Sequence, residues 1–131
     1  MEKFRTAFAS NDGNSFNKEH FGDSNYYHLY DISESEVKFI KKISNNTKDI
    51  IEERHADPKK AKGVSEMLKD EQVQVVVSGV FGPNIKRINK HFVCIIFMSG
   101  KVQDSLVTIQ ENFQEVRGKW ELGENRDHLV F

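Results

Sequence analysis

Apolar positions fall in short, well-separated runs along the chain. Phe4, Ala7, Phe8 and Ala9 lead into Ser10-Asn11-Asp12-Gly13, the pattern of a small-residue strand entering a polar turn. The apolar and tyrosine-rich segments 26–32 and 37–43 flank the short polar stretch Ser33-Glu34-Ser35-Glu36, which predicts an antiparallel hairpin. Asp57-Pro58 supplies a helix N-cap and a proline at the first helical position. Ala61, Val64, Met67 and Leu68 then recur at helical spacing to about Asp70. Val73, Val75, Val76 and Val77 form a β-branched run expected of a strand buried on both faces. A Gly-rich loop follows from Ser78 to Asn84, and Pro83 is expected to open a helix with Ile85 and Ile88 on its apolar side. Phe92 to Met98 reads as a second buried strand, and Val102, Leu106, Ile109 and Phe113 as an amphipathic helix. Residues 44–57 fit a short helix or a loop equally. A hairpin followed by strand–helix alternation predicts an α/β class with parallel crossover units.

Composition narrows the function more than the fold. At 131 residues the chain is the size of one domain. Hydrophobic residues are only 37% of the total, but 10 Phe provide bulky core side chains. A formal net charge of -1 argues against a general nucleic-acid binder. The single Cys excludes an internal disulfide and an all-cysteine metal site. No apolar stretch approaches the ~18 residues of a membrane helix, and no signal peptide opens the chain. The expectation is therefore a cytoplasmic domain with no membrane and no nucleic-acid partner. Beyond Glu115 the composition shifts to glycines and mixed charges. This divides the chain into a domain over 1–115 and a C-terminal tail over 116–131 that the core does not need.

Four stretches resemble motifs of a known family. Phe8-Ala9-Ser10-Asn11-Asp12-Gly13, then His20-Phe21-Gly22, then Tyr26-Tyr27-His28-Leu29-Tyr30-Asp31-Ile32 look like the opening of the dinitrogenase iron–molybdenum cofactor biosynthesis family. The stretch from Val75 to Asn84 looks like that family's second signature, and the likeness spans about Phe4 to Phe113. The resemblance implies a three-layer α/β/α domain with a ribonuclease H-like motif. Its mixed five-stranded sheet would have order 3-2-1-4-5, with strand 2 antiparallel to the rest. It also implies a nitrogenase accessory factor-like role. Such a protein binds or carries iron–molybdenum cofactor or an iron–sulfur precursor cluster, with cofactor-assembly proteins as partners.

His20 is the leading candidate ligand. It lies in the polar loop 11–23, near the strand ends where open α/β sheets bind ligands, and imidazole is a good donor to iron. It matches the His of the family's His-Phe-Gly motif; the plainer reading is a loop His that caps a backbone group. Phe21 would anchor the loop and Gly22 would permit its turn. The loop itself, long, polar and carrying two glycines, is expected to be mobile. Ser78, Gly79, Gly82, Pro83 and Asn84 form the second candidate. There the glycines let backbone N–H groups approach a guest, and the helix start favours its anionic portion. A plain strand-to-helix turn is the competing account. Cys94 reads as a small buried hydrophobe and Met98 as core. His55, beside Lys59, Lys60 and Lys62, reads as a solvated basic helix end.

Three functions compete. The first is a non-enzymatic carrier of an iron–sulfur-type metallocofactor. With one Cys the chain cannot build a four-cysteine cluster site, so the cargo would be held loosely and released. The second is a regulatory or interaction module that takes a protein or an anionic metabolite through the Gly-rich loop. The third, a two-metal nuclease, needs converging carboxylates. Asp12 has no acid at Ser78-Gly79 to pair with.

Overall fold

A computed structural model describes residues 2–45 and 58–131, with the side chains of residues 58–61 left aside. The hairpin expected from the sequence is present. Strand β1 (Phe4–Ala9) pairs antiparallel with β2 (Tyr26–Ile32), which pairs antiparallel with β3 (Val37–Ser44). Helix α1 is described over Pro58–Asp70, and the expected cap Asp57 and His55 lie outside the described residues. Next come β4 (Val75–Ser78), α2 (Ile85–Asn89), β5 (Val93–Ile96), α3 (Val102–Glu111) and α4 (Phe113–Glu121). A two-residue strand, β6 (Leu129–Val130), ends the order.

The sheet runs β3-β2-β1-β4-β5-β6. The order 3-2-1-4-5 and the antiparallel second strand agree with expectation, but six strands replace five. Side chains alternate across the sheet as its pleat requires. Phe4 and Phe8 of β1, Val75 and Val77 of β4, and Ile95 of β5 pack with Val102, Leu106, Ile109, Phe113 and Val116 of α3 and α4. Ala7 and Ala9, Val76 and Cys94 face the other way, onto Val64 and Leu68 of α1 and Ile88 of α2. Two cores on opposite faces make the three layers.

The segment read as a tail is built into the body. Val116 on α4 is fully buried and Leu129 on β6 nearly so. Strand β6 pairs parallel with β5, and Phe131 N–H donates to the Ile96 carbonyl at 2.9 Å. Arg126 is buried and donates to the carbonyls of Asn89, Lys119 and Trp120 at 2.9–3.0 Å. Mixed charge and glycine hid this because two apolar residues make no readable period. The last amphipathic pattern also splits in two at Asn112, whose side-chain amide donates to the Thr108 carbonyl at 2.8 Å.

Candidate functional site

Parallel β1 and β4 are neighbours, but the chain leaves them in opposite directions. β1 feeds β2 on one side and β4 leads to β5 on the other. This is the switch point at which open sheets form a crevice beyond their strand ends. The loop after β1 carries His20, and the loop after β4 carries Gly82.

The first loop is tied down rather than loose. Ser10 Oγ donates to the Ser15 carbonyl and accepts from Gly13 N–H at 3.0 Å. Asp12 Oδ1 accepts from the N–H groups of Asn14 at 2.8 Å and Ser15 at 3.0 Å. These backbone donors, Ser15 first, hold the Asp12 carboxyl below its usual range. Phe16 is buried in the α3-side core, and its N–H reaches the Gly100 carbonyl at 2.9 Å. On the far side, residues Phe21–Asp23 form a 3-10 turn in which Asp23 N–H donates to the His20 carbonyl at 2.9 Å. Asn45 Nδ2 donates to the carbonyls of Gly22 and Ser24 at 2.9 and 2.8 Å. Length and polarity suggested mobility; two buried rings and these bonds argue for order.

Phe21 is completely buried. It stacks on Phe81 at 5.1 Å between centroids with 18° between planes, and lies against Tyr27 at 5.0 Å. It joins the two loops from within and has no surface to offer a guest. One residue along on each loop, the His20 imidazole packs over Gly82. A Cβ built at Gly82, where φ is +78°, would lie 2.5 Å from His20 Nδ1. The two sequence candidates therefore meet in space.

The other members of the predicted set contribute differently. Ser78 is fully buried; its hydroxyl donates to the Val80 carbonyl at 2.9 Å and accepts from Val80 N–H at 3.3 Å. Gly22 and Gly79 lack positive φ, and a Cβ at either would make ordinary contacts at 3.9 Å. Neither needs to be glycine for its turn. Pro83 is exposed and precedes the helix instead of opening it. Asn84 is the N-cap residue of α2, with Oδ1 accepting from the Arg87 guanidinium at 2.6 Å and not from a backbone N–H of the helix. With only five residues, α2 develops little of the dipole that a long helix offers an anion.

Cys94 is fully buried in the α1-side core, and burial pushes its thiol pKa well up, so it stays protonated. Met98 corrects the expectation of a core residue: it is 75% exposed, with Val80 at 39%. Both stand past the register that pairs Ser78 with Ile96, at the end of the sheet from which the two loops leave. The exposure of Met98 was illegible in the sequence because it continues an apolar run. Among the described residues no three His, Cys, Asp or Glu side chains converge as a metal cage.

A three-layer α/β domain with facing loops at its switch point is the class that fold and site define. The dinitrogenase iron–molybdenum cofactor family matches residues 2–112, and the chain belongs to that family. Among solved structures, a "putative dinitrogenase" from Methanocaldococcus jannaschii shares the fold, with a TM-score of 0.55 at 18% identity. The match covers 91% of this chain and 93% of that one. The search of curated proteins gave no match. Family membership ties the chain to dinitrogenase cofactor function. No helix among the described residues is long and apolar enough to cross a membrane.

Proposed function

We propose that this protein is a non-enzymatic carrier of iron–molybdenum cofactor, or of an iron–sulfur precursor cluster, during cofactor assembly. It would work in the cytoplasm with assembly proteins as donors and acceptors. The observation that carries the reading is the packing of His20 on Gly82, which brings an imidazole, a side chain of a type that ligates metal, against the loop after β4. The donor set fits a cargo better than a resident group. The one thiol is buried and protonated, and no cage of acidic, His or Cys side chains forms among the described residues. A single imidazole bond holds a complete cluster and lets it go, as a carrier requires. Val80 and Met98 would shield the guest's apolar edge, with Gly79, Gly82, Pro83 and Asn84 lining the loop below it.

The test is an anaerobic titration of the parent, His20→Ala and Cys94→Ala with isolated iron–molybdenum cofactor, with circular dichroism reporting the fold. His20→Ala should bind at least about tenfold more weakly, roughly 1.4 kcal/mol, with Cys94→Ala unchanged. Equal binding by His20→Ala, or loss confined to Cys94→Ala, rules the reading out.

A further inference from the structure

Strand β3 forms one edge of the sheet, with β2 on one side and no strand on the other among the described residues. An edge strand carries a row of N–H and C=O groups with which another chain can pair. Cover over β3 is thin. Ile40 and Ile43 are half-buried and its other residues are exposed, whereas β1 is buried everywhere except Arg5. Two of the exposed residues are apolar, Val37 at 36% and Phe39 at 51%. The Phe39 ring meets Tyr30 edge-on at 5.3 Å. A bulge then changes what shares their face. Leu29 pairs with Lys41 and Tyr30 with Phe39, so Ile40 is the extra residue. Lys42, opposite His28, is thereby brought onto the face of Phe39, opposite Tyr30, and of Val37, opposite Ile32.

The charge of this strand differs from that of the chain. β3 holds Lys38, Lys41 and Lys42 and no acid, in a chain of formal net charge -1. Lys41 is paired with Glu71 at 2.6 Å. Lys38 stands opposite Asp31, whose carboxylate is already held by Arg5 at 2.9 Å and by Lys3 at 3.4 Å. Lys42 Nζ lies 4.7 Å over the Tyr26 ring. Neither Lys38 nor Lys42 makes an ion pair among the described residues. The two cations stand on opposite faces of the strand, with the open backbone edge between them.

We infer that the outer edge of β3 docks an extended acidic segment of a partner protein, which joins the sheet as a further strand. Backbone pairing supplies the common part of the affinity. Carboxylates facing Lys38 and Lys42 select the partner, and its apolar side chains cover Val37 and Phe39. Lysines and a bulge are also the means by which an edge strand is guarded against its own kind. Here the guard is selective. Two copies of β3 in full overlap would bring three lysines from each together with no acid among them, while an acidic strand meets the same lysines favourably. A guard by itself does not need a half-open Phe39.

The test uses the full chain, without cofactor, and a peptide blocked at both ends, Thr-Val-Glu-Thr-Val-Glu-Val, one residue shorter than β3 to match the bulge. In antiparallel register its glutamates fall opposite Lys42 and Lys38, and its valines opposite Ile43, Phe39 and Val37. Backbone amide shifts in NMR should move along Val37–Ser44, and the same peptide with lysine for glutamate should leave them in place. Lys38→Gln with Lys42→Gln, and separately Phe39→Ser, should each weaken binding by about fivefold. All three positions are exposed, so the fold is retained, and circular dichroism checks it. Raising ionic strength from about 0.01 M to about 1 M shortens screening from about 30 Å to about 3 Å and should weaken the glutamate peptide. No shift at about 1 mM peptide, which reveals even a Kd of that order, overturns the proposal. Shifts centred away from β3, or equal binding of the glutamate and lysine peptides, overturn it as well. Sedimentation equilibrium of the chain alone supplies the remaining outcome: a dimer that Phe39→Ser dissociates assigns the edge to a second copy and overturns the acidic partner. None of these measurements involves His20 or cofactor, so the docking edge and the carrier reading stand or fall separately.

Discussion

Replacing Arg126 with Met should loosen the whole C-terminal segment. The guanidinium is 7% exposed and spans three carbonyls: Nη1 to Asn89 at 2.9 Å, Nε to Lys119 at 3.0 Å and Nη2 to Trp120 at 3.0 Å. It also lies over the Trp120 ring at 5.0 Å. Methionine keeps the apolar stem and removes every donor. The buried bond to Asn89 O is the costly loss, because an unsatisfied buried carbonyl is worth about 1–3 kcal/mol. The Lys119 and Trp120 carbonyls close the last turn of α4 and also accept from Leu122 N–H, so each adds about 0.5 kcal/mol. Against this, the parent spends free energy on a buried cation, and desolvation lowers the Arg126 pKa. The net expectation is a loss of about 2–3 kcal/mol. With a slope near ~2 kcal/mol per molar urea for a chain of this size, the midpoint falls by about 1 M. Arg126→Lys should recover less than half, since one ammonium cannot reproduce a planar fork reaching three acceptors. The assay is equilibrium urea unfolding followed by far-ultraviolet circular dichroism and by Trp120 fluorescence. A midpoint shift under about 0.2 M at unchanged slope would show that Arg126 does not hold the segment and that the three bonds carry no net stability.

Two further outcomes follow from the same packing and from a buried imidazole. Deleting residues 118–131 removes Arg126, Leu129 and the β6 pairing, so the shortened chain should unfold at lower urea with a broadened transition; a cooperative transition at the parent's midpoint would show the segment to be dispensable. His28 is 8% exposed with no hydrogen-bond partner on Nε2. Burial first, and then the charge of Lys42 opposite it on β3, hold its pKa below the ordinary 6.5 against the opposing pull of the Ser10 backbone and Asp12. Between those two pKa values the unfolded chain binds the extra proton, so stability is full above pH ~6.5, falls as pH drops below it, and levels off beneath the folded pKa. His28→Asn should flatten that slope, with His91→Gln as the comparison because burial lowers His91 in the same direction. A slope unchanged in His28→Asn would assign it elsewhere.

Local pattern determined the elements that local pattern can specify. The hairpin is legible because Tyr26–Ile32 and Val37–Ser44 are joined by four polar residues. α1 is legible because Val64, Met67 and Leu68 recur at helical spacing within Pro58–Asp70. The valine run becomes a central strand because it is buried on both faces. Loop position and residue type also mark His20 and the Ser78–Asn84 loop as candidates in the sequence alone. Only the tertiary structure brought them together, since residues 20 and 82 meet through strand pairing and the Phe21–Phe81 stack, neither of which has a sequence period. It also decided which candidates face the crevice: Phe21 and Ser78 turn inward, and Met98 turns out. The end of the chain shows the same division. Leu129–Val130 is too short to be a strand by itself and becomes one because β5 presents an open edge. Arg126, which in sequence reads as surface charge, is buried because carbonyls from α4 and from Asn89, 37 residues away, converge on it.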